Sequence, residues 1–325
     1  MRNLWYNRFC YKKKQKLLTL VNKRKVRKIN KILNTIIILL LVLISLAYTK
    51  KELVDNNENT NEKTVSTLKT NSNLEVYYFD VGQADSILIR ENDNNILIDA
   101  GNNEDGEKLV DYLKNDLNIE KFNMVVGTHP HEDHIGGLDN VIDSFDIDTI
   151  LMPNATSTSK TFENVLDSIE KKDYKITVPK INEEFNYNNI NIKVLYTGTD
   201  EKDLNNTSIV LKLTYQNNKF LFMGDATSKV EKKLLNEDIK SDVLKIGHHG
   251  SEYSTTKNFL DKVNPQYAII EVGKNNTYKH PKKITLDKLN KKNIKIYRTD
   301  IDGTIKVASD GNNLKFETLK TDLDG

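Results

Sequence analysis

Cysteine is almost absent: Cys10 is the only one in 325 residues. A lone thiol cannot build an internal disulfide framework or a Cys-rich zinc site, so a metal centre would have to draw on His and carboxylates. Histidine is scarce too, with six in the chain, and the net charge is only +2. The length and this near-neutral balance exclude a peptide, a disordered tail protein and a uniformly basic nucleic-acid coat. The few histidines are concentrated. His129, His131 and His134 fall within six consecutive residues, His248 and His249 are adjacent, and His280 stands apart.

Acidic residues are missing from one end. Residues 1–31 carry twelve Lys/Arg and no Asp or Glu, so against a whole-chain charge of +2 the remainder carries −10. Such contrast marks a segment with its own partner. Residues 32–48 are apolar apart from Asn34, Thr35 and Ser45. At a rise of ~1.5 Å per residue this run reaches ~25 Å, the short end of what spans a bilayer core. The basic leader predicts a cytoplasmic N-terminus, with everything after Lys50 delivered outside. Residues 32–48 therefore read as a transmembrane signal-anchor helix in the cytoplasmic membrane. Small residues at Ser45 and Ala47 leave cleavage after Ala47 and secretion as the alternative. Residues 49–73 lack glycine, aromatics and hydrophobic period and read as a flexible linker. A folded domain over 74–319 follows, with a short tail at 320–325.

From Leu74 the pattern is short β-rich runs separated by amphipathic helices. Residues 74–81, 85–90 and 95–99 predict an antiparallel meander; 107–117 predicts a helix with Leu109, Val110, Leu113 and Leu117 on one face. A strand over 122–127 delivers its end to the first histidines. Later strands are expected at 208–215, 219–223, 243–246 and 267–272, with Asn217-Asn218 as a hairpin turn. Helices are expected near 136–145, 160–172, 228–236, 255–263 and 281–291. No internal repeat is visible. Two mixed halves suit an α/β (α+β) fold of two packed sheets covered by helices, not a doubly wound parallel sheet.

The chemistry concentrates in THPHEDHIGG (128–137). His129 and His131, with Pro130 stiffening the backbone between them, can direct two imidazoles at one ion, while Asp133 and His134 turn toward a second position. Gly136-Gly137 admits the chain to the next helix without bulk. Imidazole and carboxylate are borderline-to-hard ligands suited to Zn, Mn or Fe. KFLFMGDA (219–226) puts Asp225 at the end of an apolar strand, and SDVLKIGHHGS (241–251) does the same for His248 and His249. Three strand ends presenting His or Asp fit one edge of a sandwich.

These residues resemble a known pattern. HPHEDH matches the His-x-His-x-Asp-His signature of the metallo-β-lactamase-fold superfamily. The wider set is similar to the exported hydrolase domain of the ComEC competence (DNA-uptake) family in its stand-alone form. It comprises YYFDVGQADSILI (77–89), LIDAGN (97–102), NNTSIVLKL (205–213), LKIGHHGS (244–251), VGKNNTYKHP (272–281) and YRTDIDGTI (297–305). The resemblance covers none of residues 1–73, and the many membrane spans of the full competence channel are absent. It implies an αββα four-layer sandwich with one or two divalent metal ions, Zn or Mn, at one edge. It also implies His129 and His131 on the first ion, Asp133, His134 and His248 on the second, Asp225 between them, and Asp80 orienting the ligand loops.

Two departures stand out. No histidine occurs between Ile135 and Gly247, leaving Asn206 or Ser208 to assist the first ion through water. Ala84 replaces the usual glycine of DVGQGDS, which would cost ~1 kcal/mol if that position requires positive φ.

His249 and His280 are left for substrate contact or acid assistance, beside Asp133 in the catalytic set. Residues 271–298 carry nine Lys/Arg and two acids, within a body that is −10 overall. Lys274, Tyr278 and Lys279 there are candidates for phosphodiester binding. The expectation is an exported phosphodiesterase or nuclease acting on DNA or nucleotides. The alternatives are hydrolysis of a lactone, thioester or β-lactam, and a non-catalytic nucleic-acid-binding module. Nothing in the sequence points to oligomerisation.

Overall fold

Alternation along the strands sorts side chains into three apolar layers, and these layers define the domain. The computed structural model describes residues 74–199, 202–321 and 323. The leader, the apolar segment 32–48 and the linker lie outside the described residues. Among the described residues no helix is long and apolar enough to cross a membrane.

Among the described residues one sheet has eight strands. In spatial order they are Leu314–Leu319, Thr304–Ser309, Leu74–Tyr78, Ile87–Glu91, Asn94–Ile98, Met124–Val126, Ile150–Leu151 and Ile176–Thr177. The second, seven-stranded sheet runs Lys295–Arg298, Tyr267–Ile270, Val243–Lys245, Asn218–Phe222, Val210–Tyr215, Ile190–Tyr196 and Glu184–Tyr187. Each sheet is part antiparallel meander and part parallel. In the first, Asn94–Ile98 pairs in parallel with Met124–Val126; in the second, the four strands from Asn218–Phe222 to Lys295–Arg298 are mutually parallel.

The two-residue period of a strand does the sorting. Leu74, Val76, Tyr78, Ile96, Ile98, Met124 and Val126 face Leu211, Leu213, Phe220, Phe222, Val243 and Ile269 between the sheets. Their neighbours Tyr77, Leu97 and Val125 face outward onto a helical layer, as Leu221, Leu244, Ala268 and Ile270 do on the other side. The helix Lys160–Lys171 shows how that layer is fixed. The Ser159 side chain caps it by accepting the Phe162 amide (3.2 Å), and Phe162, Val165 and Ile169 line its buried face. Helix, sheet, sheet and helix give the four-layer sandwich expected from the sequence.

Expected element limits shift by one to three residues. The hairpin loop is Gln216-Asn217 with Gln216 at φ 52°, one residue earlier than expected, because Asn218 already pairs with Tyr215. The predicted helix 107–117 is α-helical only over Gly106–Asp111 and widens into a π turn over Tyr112–Asp116. Ala84 is buried and is not among the residues with positive φ, so the expected backbone cost does not arise.

Candidate metal centre

Parallel strands put successive carboxyl ends on one sheet edge, where open α/β sheets gather their ligands. Four such ends meet here: Ile98, Val126, Phe222 and Lys245 are followed by Asp99, by His129, His131, Asp133 and His134, by Asp225, and by His248 and His249. Backbone bonds tie these loops together. The His248 amide donates to the Gly224 carbonyl (3.1 Å), and the Ala100 amide to that of His134 (2.8 Å). Gly224 has φ 49° beside Thr128 and Ser208, and a Cβ at Gly136 would overlap the backbone of Asn102 and Asn103. Close approach of two loops is therefore what demands glycine at 136.

One buried carboxylate sets two histidines. Asp99 accepts the Thr128 amide and hydroxyl and the His134 Nδ1–H, each at 2.8 Å. The Thr128 hydroxyl, having given its proton to Asp99, can only accept from His129 Nδ1 (3.1 Å). Both rings thus carry hydrogen on Nδ1 and turn Nε2 toward the site, the nitrogen through which such an imidazole would bind a metal. His129 Nε2 lies 3.0 Å from His131 Nδ1, and His134 Nε2 lies 3.2 Å from Asp225 Oδ1. Tetrahedral ligation with bonds of about 2.0–2.1 Å separates ligand atoms by about 3.3 Å.

His249 completes the second group. Its Nδ1 donates to the Glu271 carbonyl (3.0 Å) and lies 3.3 Å from Asp85, while Nε2 faces Asp133 (3.3 Å) and Asp225 (3.7 Å). Donor atoms of Asp133, His134, Asp225 and His249 all lie within 4.8 Å of one another. Among the described residues His134 Nε2, His249 Nε2 and Asp225 Oδ1 are buried without a hydrogen-bond partner. Orphaned, converging donors fit a divalent ion, which would satisfy all of them at once.

The resemblance implies His248 on this ion and leaves His249 for the substrate; here it is His249 whose nitrogen joins the converging group. Both residues have left-handed backbone, at φ 52° and 50°, which turns the His249 ring inward and leaves His248 on the cavity wall. His248 Nε2 lies as close to Asp225 as His249 Nε2 does, at 3.7 Å; what sets His249 apart is its approach to Asp133. Asp80 sits in the turn after the first strand, where its Oδ1 accepts the Gly82 amide (3.3 Å). The carboxylates that contact the ligand histidines are Asp85 and Asp99.

Asp85 belongs to a buried charged layer that strand parity explains. Lys245 shares the inter-sheet face with Val243, Glu271 shares it with Ile269, and Asp85 precedes Ile87 and Ile89 on that face. Lys245 Nζ is 2.6 Å from Asp85 and 3.7 Å from Glu271, and the Ser86 amide donates to Glu271 (3.0 Å).

Electrostatics follow from this crowding. Burial opposes charge on His249, but Asp225 and Asp85 outweigh it and push its pKa up to about 10. Burial likewise opposes charge on His134, and Asp225, Asp99 and Asp133 raise its pKa well above the usual imidazole range. Asp225 is held well below the carboxylate range by His134 and His249 despite its burial. Without an ion, protons on two histidines therefore balance the carboxylates. Burial, reinforced by His134, instead pushes His129 down and keeps it neutral.

Above the donors lies a cavity of about 640 Å³, walled by Gln83, Asn102, Asn205, Asn275, Thr277 and Tyr278. His280 also lines it, its pKa lowered to about 4 by burial and by the neighbouring His248 and His249. At neutral pH it is uncharged in the ion-free chain. Tyr278 is 62% exposed and its ring stacks on that of His280 at 5.7 Å. Lys274 lines a neighbouring depression with Gln83 and Asn276, and Lys279 is exposed on the same loop. The basic strip is partly neutralised, because Lys283 pairs with Asp287, Lys292 with Asp261 and Arg298 with Asp300. Asn206 is committed to Thr227 and Asp203, and Ser208 accepts the Asp225 amide (3.1 Å). Sequence reasoning missed Asp85, Asp99, Lys245, Glu271 and Tyr253. Tyr253 is 68% exposed and lines an adjoining depression with Lys229 and His248.

Comparison with known proteins agrees with this geometry. The family described as "Metallo-beta-lactamase superfamily" matches residues 79–273. ComE operon protein 3 of Bacillus subtilis is 29% identical over 252 residues, covering 71% of this chain and 32% of that protein. Competence protein ComA of Neisseria gonorrhoeae is 25% identical over 252 residues, covering 75% and 34%. The chain thus spans about a third of the length of these curated relatives. Among solved structures, CmlA, a diiron beta-hydroxylase from Streptomyces venezuelae, has a similar fold (TM-score 0.50, 13% identity, 76% of this chain and 54% of that one). A match over more than half the chain, on a four-layer fold with its donors gathered at one sheet edge, makes this chain a member of the metallo-beta-lactamase superfamily.

Proposed function

We propose that this member of the hydrolase superfamily cleaves phosphodiesters in nucleic acid or nucleotides, outside the cell and tethered to the membrane. The observation that carries the reading is a set of converging, buried donors without hydrogen-bond partners among the described residues, on the floor of an open cavity walled by amides, a hydroxyl and one exposed aromatic ring. Asp133, His134, Asp225 and His249 would hold one ion, with His129 and His131 beside them. A divalent ion there, Zn or Mn, supplies Lewis acidity toward a phosphoryl oxygen and a nucleophile at neutral pH.

The chain's own residues supply the rest. Asp99 and Thr128 fix the tautomers of His129 and His134, and Asp85 and the Glu271 carbonyl fix His249. His248 lines the cavity beside Asp225 and would contact the substrate or support the ion from the wall. Uncharged His280 and the amides of Asn102, Asn275 and Gln83 offer further polar contacts, and Tyr278 offers a face on which a base can stack. Lys274 and Lys279 add positive charge beside the cavity. The sequence resemblance to the competence (DNA-uptake) family favours DNA as the substrate class, and a relative is named a competence protein. The +12 leader and the apolar run that follows it support export and anchoring.

Turnover of a chromogenic phosphodiester and of single-stranded DNA, with a chromogenic β-lactam in parallel, tests the reading on the full chain loaded with Mn or Zn. Phosphodiester cleavage that Asp133→Ala abolishes is expected. Cleavage of the β-lactam alone, or phosphodiester activity that survives Asp133→Ala, overturns it. Protease protection of the domain in inverted membrane vesicles tests its placement outside.

A further inference from the structure

We propose that the side-chain oxygen of Asn205 is a ligand of a second ion, held together with His129, His131 and Asp225. The inference rests on the metal-binding reading of the site and goes beyond it by completing a coordination sphere with a residue type that neither spacing nor charge singles out.

The donor count poses the question. Asp133, His134, Asp225 and His249 provide four converging donors, which suffices for a four-coordinate ion. His129 and His131 stand 3.0 Å apart, with His129 Nε2 bare by the Asp99–Thr128 relay. Two imidazoles and a shared carboxylate are one donor short of four. His134 and His249 belong to the other group, and His280 packs against His248 and Tyr278.

The turn Leu204–Thr207 offers the missing donor. Asn206 is spent at both ends, donating to Asp203 and accepting from Thr227, each at 2.6 Å. Thr207 donates to the Leu204 carbonyl, and Ser208 to the Asn205 carbonyl, each at 2.7 Å. The Asn205 side-chain oxygen is buried and finds no partner among the described residues. An unpaired buried amide oxygen has lost its water with nothing in exchange, so a native site is expected to satisfy it.

Its position is held from two sides. Ser208 Oγ accepts the Asp225 amide (3.1 Å), and the Ile209 amide donates to the carbonyl of Thr128 (2.9 Å), the residue before His129. The turn is thus clamped between the loop carrying Asp225 and the strand end carrying His129, and Asn205 lines the cavity together with His131 and Asp225. A carboxamide oxygen is a neutral, hard ligand, so this position should favour Mn over Zn relative to its neighbour.

Titration of the full chain with Mn, followed by calorimetry and electron paramagnetic resonance, tests the proposal without reference to turnover. The wild type is expected to bind two ions with a spin-coupled spectrum. Asn205→Ala is expected to keep the tighter ion and weaken the other by about 100-fold, the upper end of the ~10- to 100-fold that residues behind the ligands show, leaving the spectrum of an isolated ion, which loss of a residue behind the ligands would not. Asn205→Asp, with an anionic oxygen in place of a neutral one, should tighten the weaker ion and retain the coupled spectrum. If Asn205→Ala does not fold, the Asp variant decides, and an unchanged weaker affinity there overturns the proposal. Two coupled ions in Asn205→Ala, or loss of the second ion in His248→Ala and not in Asn205→Ala, also overturns it. A wild type that binds one ion refutes Asn205 as a ligand while leaving the hydrolase reading intact; one that binds none refutes both.

Discussion

The space between the two sheets solves opposite problems in its two regions. Away from the ligands it is filled mainly by Leu213, Phe220, Val243 and their neighbours, with buried Glu91 at the far end bonded to Asn189. Toward the ligands the same strand faces carry Asp85, Lys245 and Glu271, all buried. The first region holds the sheets together by removing apolar surface from water. The second gives up some of that gain, because buried charges repay their desolvation only when paired and hydrogen-bonded. The difference teaches that one strand can serve both ends: in Val243–Lys245, one step along the face changes the task from cohesion to holding the metal site.

Four perturbations should separate the two regions. The largest effect is expected from Asp225→Asn, which removes the carboxylate facing His134, His248 and His249. Metal binding measured by elemental analysis and phosphodiester turnover should both fall to background, while the far-UV circular dichroism of the folded chain is retained. Lys245→Met strikes the junction, leaving Asp85 and Glu271 without their counter-charge. It should cost about 3–5 kcal/mol in chemical denaturation and weaken metal binding by about 10- to 100-fold through Asp85 and His249. Phe220→Ala, in the apolar region, should cost a similar 3–5 kcal/mol or so but leave metal affinity per folded molecule unchanged; a joint loss would erase the distinction. Tyr253→Ala should have the smallest effect. If its exposed ring stacks a base at the low end of about 1–3 kcal/mol, KM for single-stranded DNA rises about fivefold, with no change toward a small chromogenic ester.

Acidity sharpens the same contrast. In the ion-free chain the folded pKa of His249 stands at about 10, above the ordinary 6.5, and that of His134 is raised as well. The resulting stabilisation is fully present below about pH 6.5 and is lost as pH rises toward 10. The ion requires bare nitrogens, so the loaded chain should show the opposite trend, with metal affinity rising over that window. Thermal melts with chelator and with Mn across pH 6–10 should therefore converge at the acid end and diverge at the alkaline end.

What the sequence made legible was local. The histidine cluster, the strand ends before Asp225 and His248, and the helices near 138–144, 160–171 and 283–291 all rest on patterns within a dozen residues. The edge strand Glu184–Tyr187 escaped because its alternation is half polar and half-buried. Lys245 and Glu271 escaped for a different reason: one charged residue on an apolar strand reads as solvent-facing until the second sheet is in place. Asp85 was missed because its place depends on where the turn at Gly82 falls. Which of His248 and His249 joins the converging group depends on backbone angles that spacing cannot encode. The basic strip looked continuous because Asp261, which pairs with Lys292, lies outside the counted segment.

Two left-handed histidines in succession also have a mechanical meaning. Each non-glycine residue held in that conformation stores about 1–2 kcal/mol, so the pair acts as a compressed spring at the rim of the catalytic floor. Glycine at either position would release the tension and delete an imidazole in the same stroke. The latch is made by the protein itself: the Glu271 carbonyl and Asp85 grip the His249 ring, and the Gly224 carbonyl takes the His248 amide, so the tension is held within the loop's own contacts.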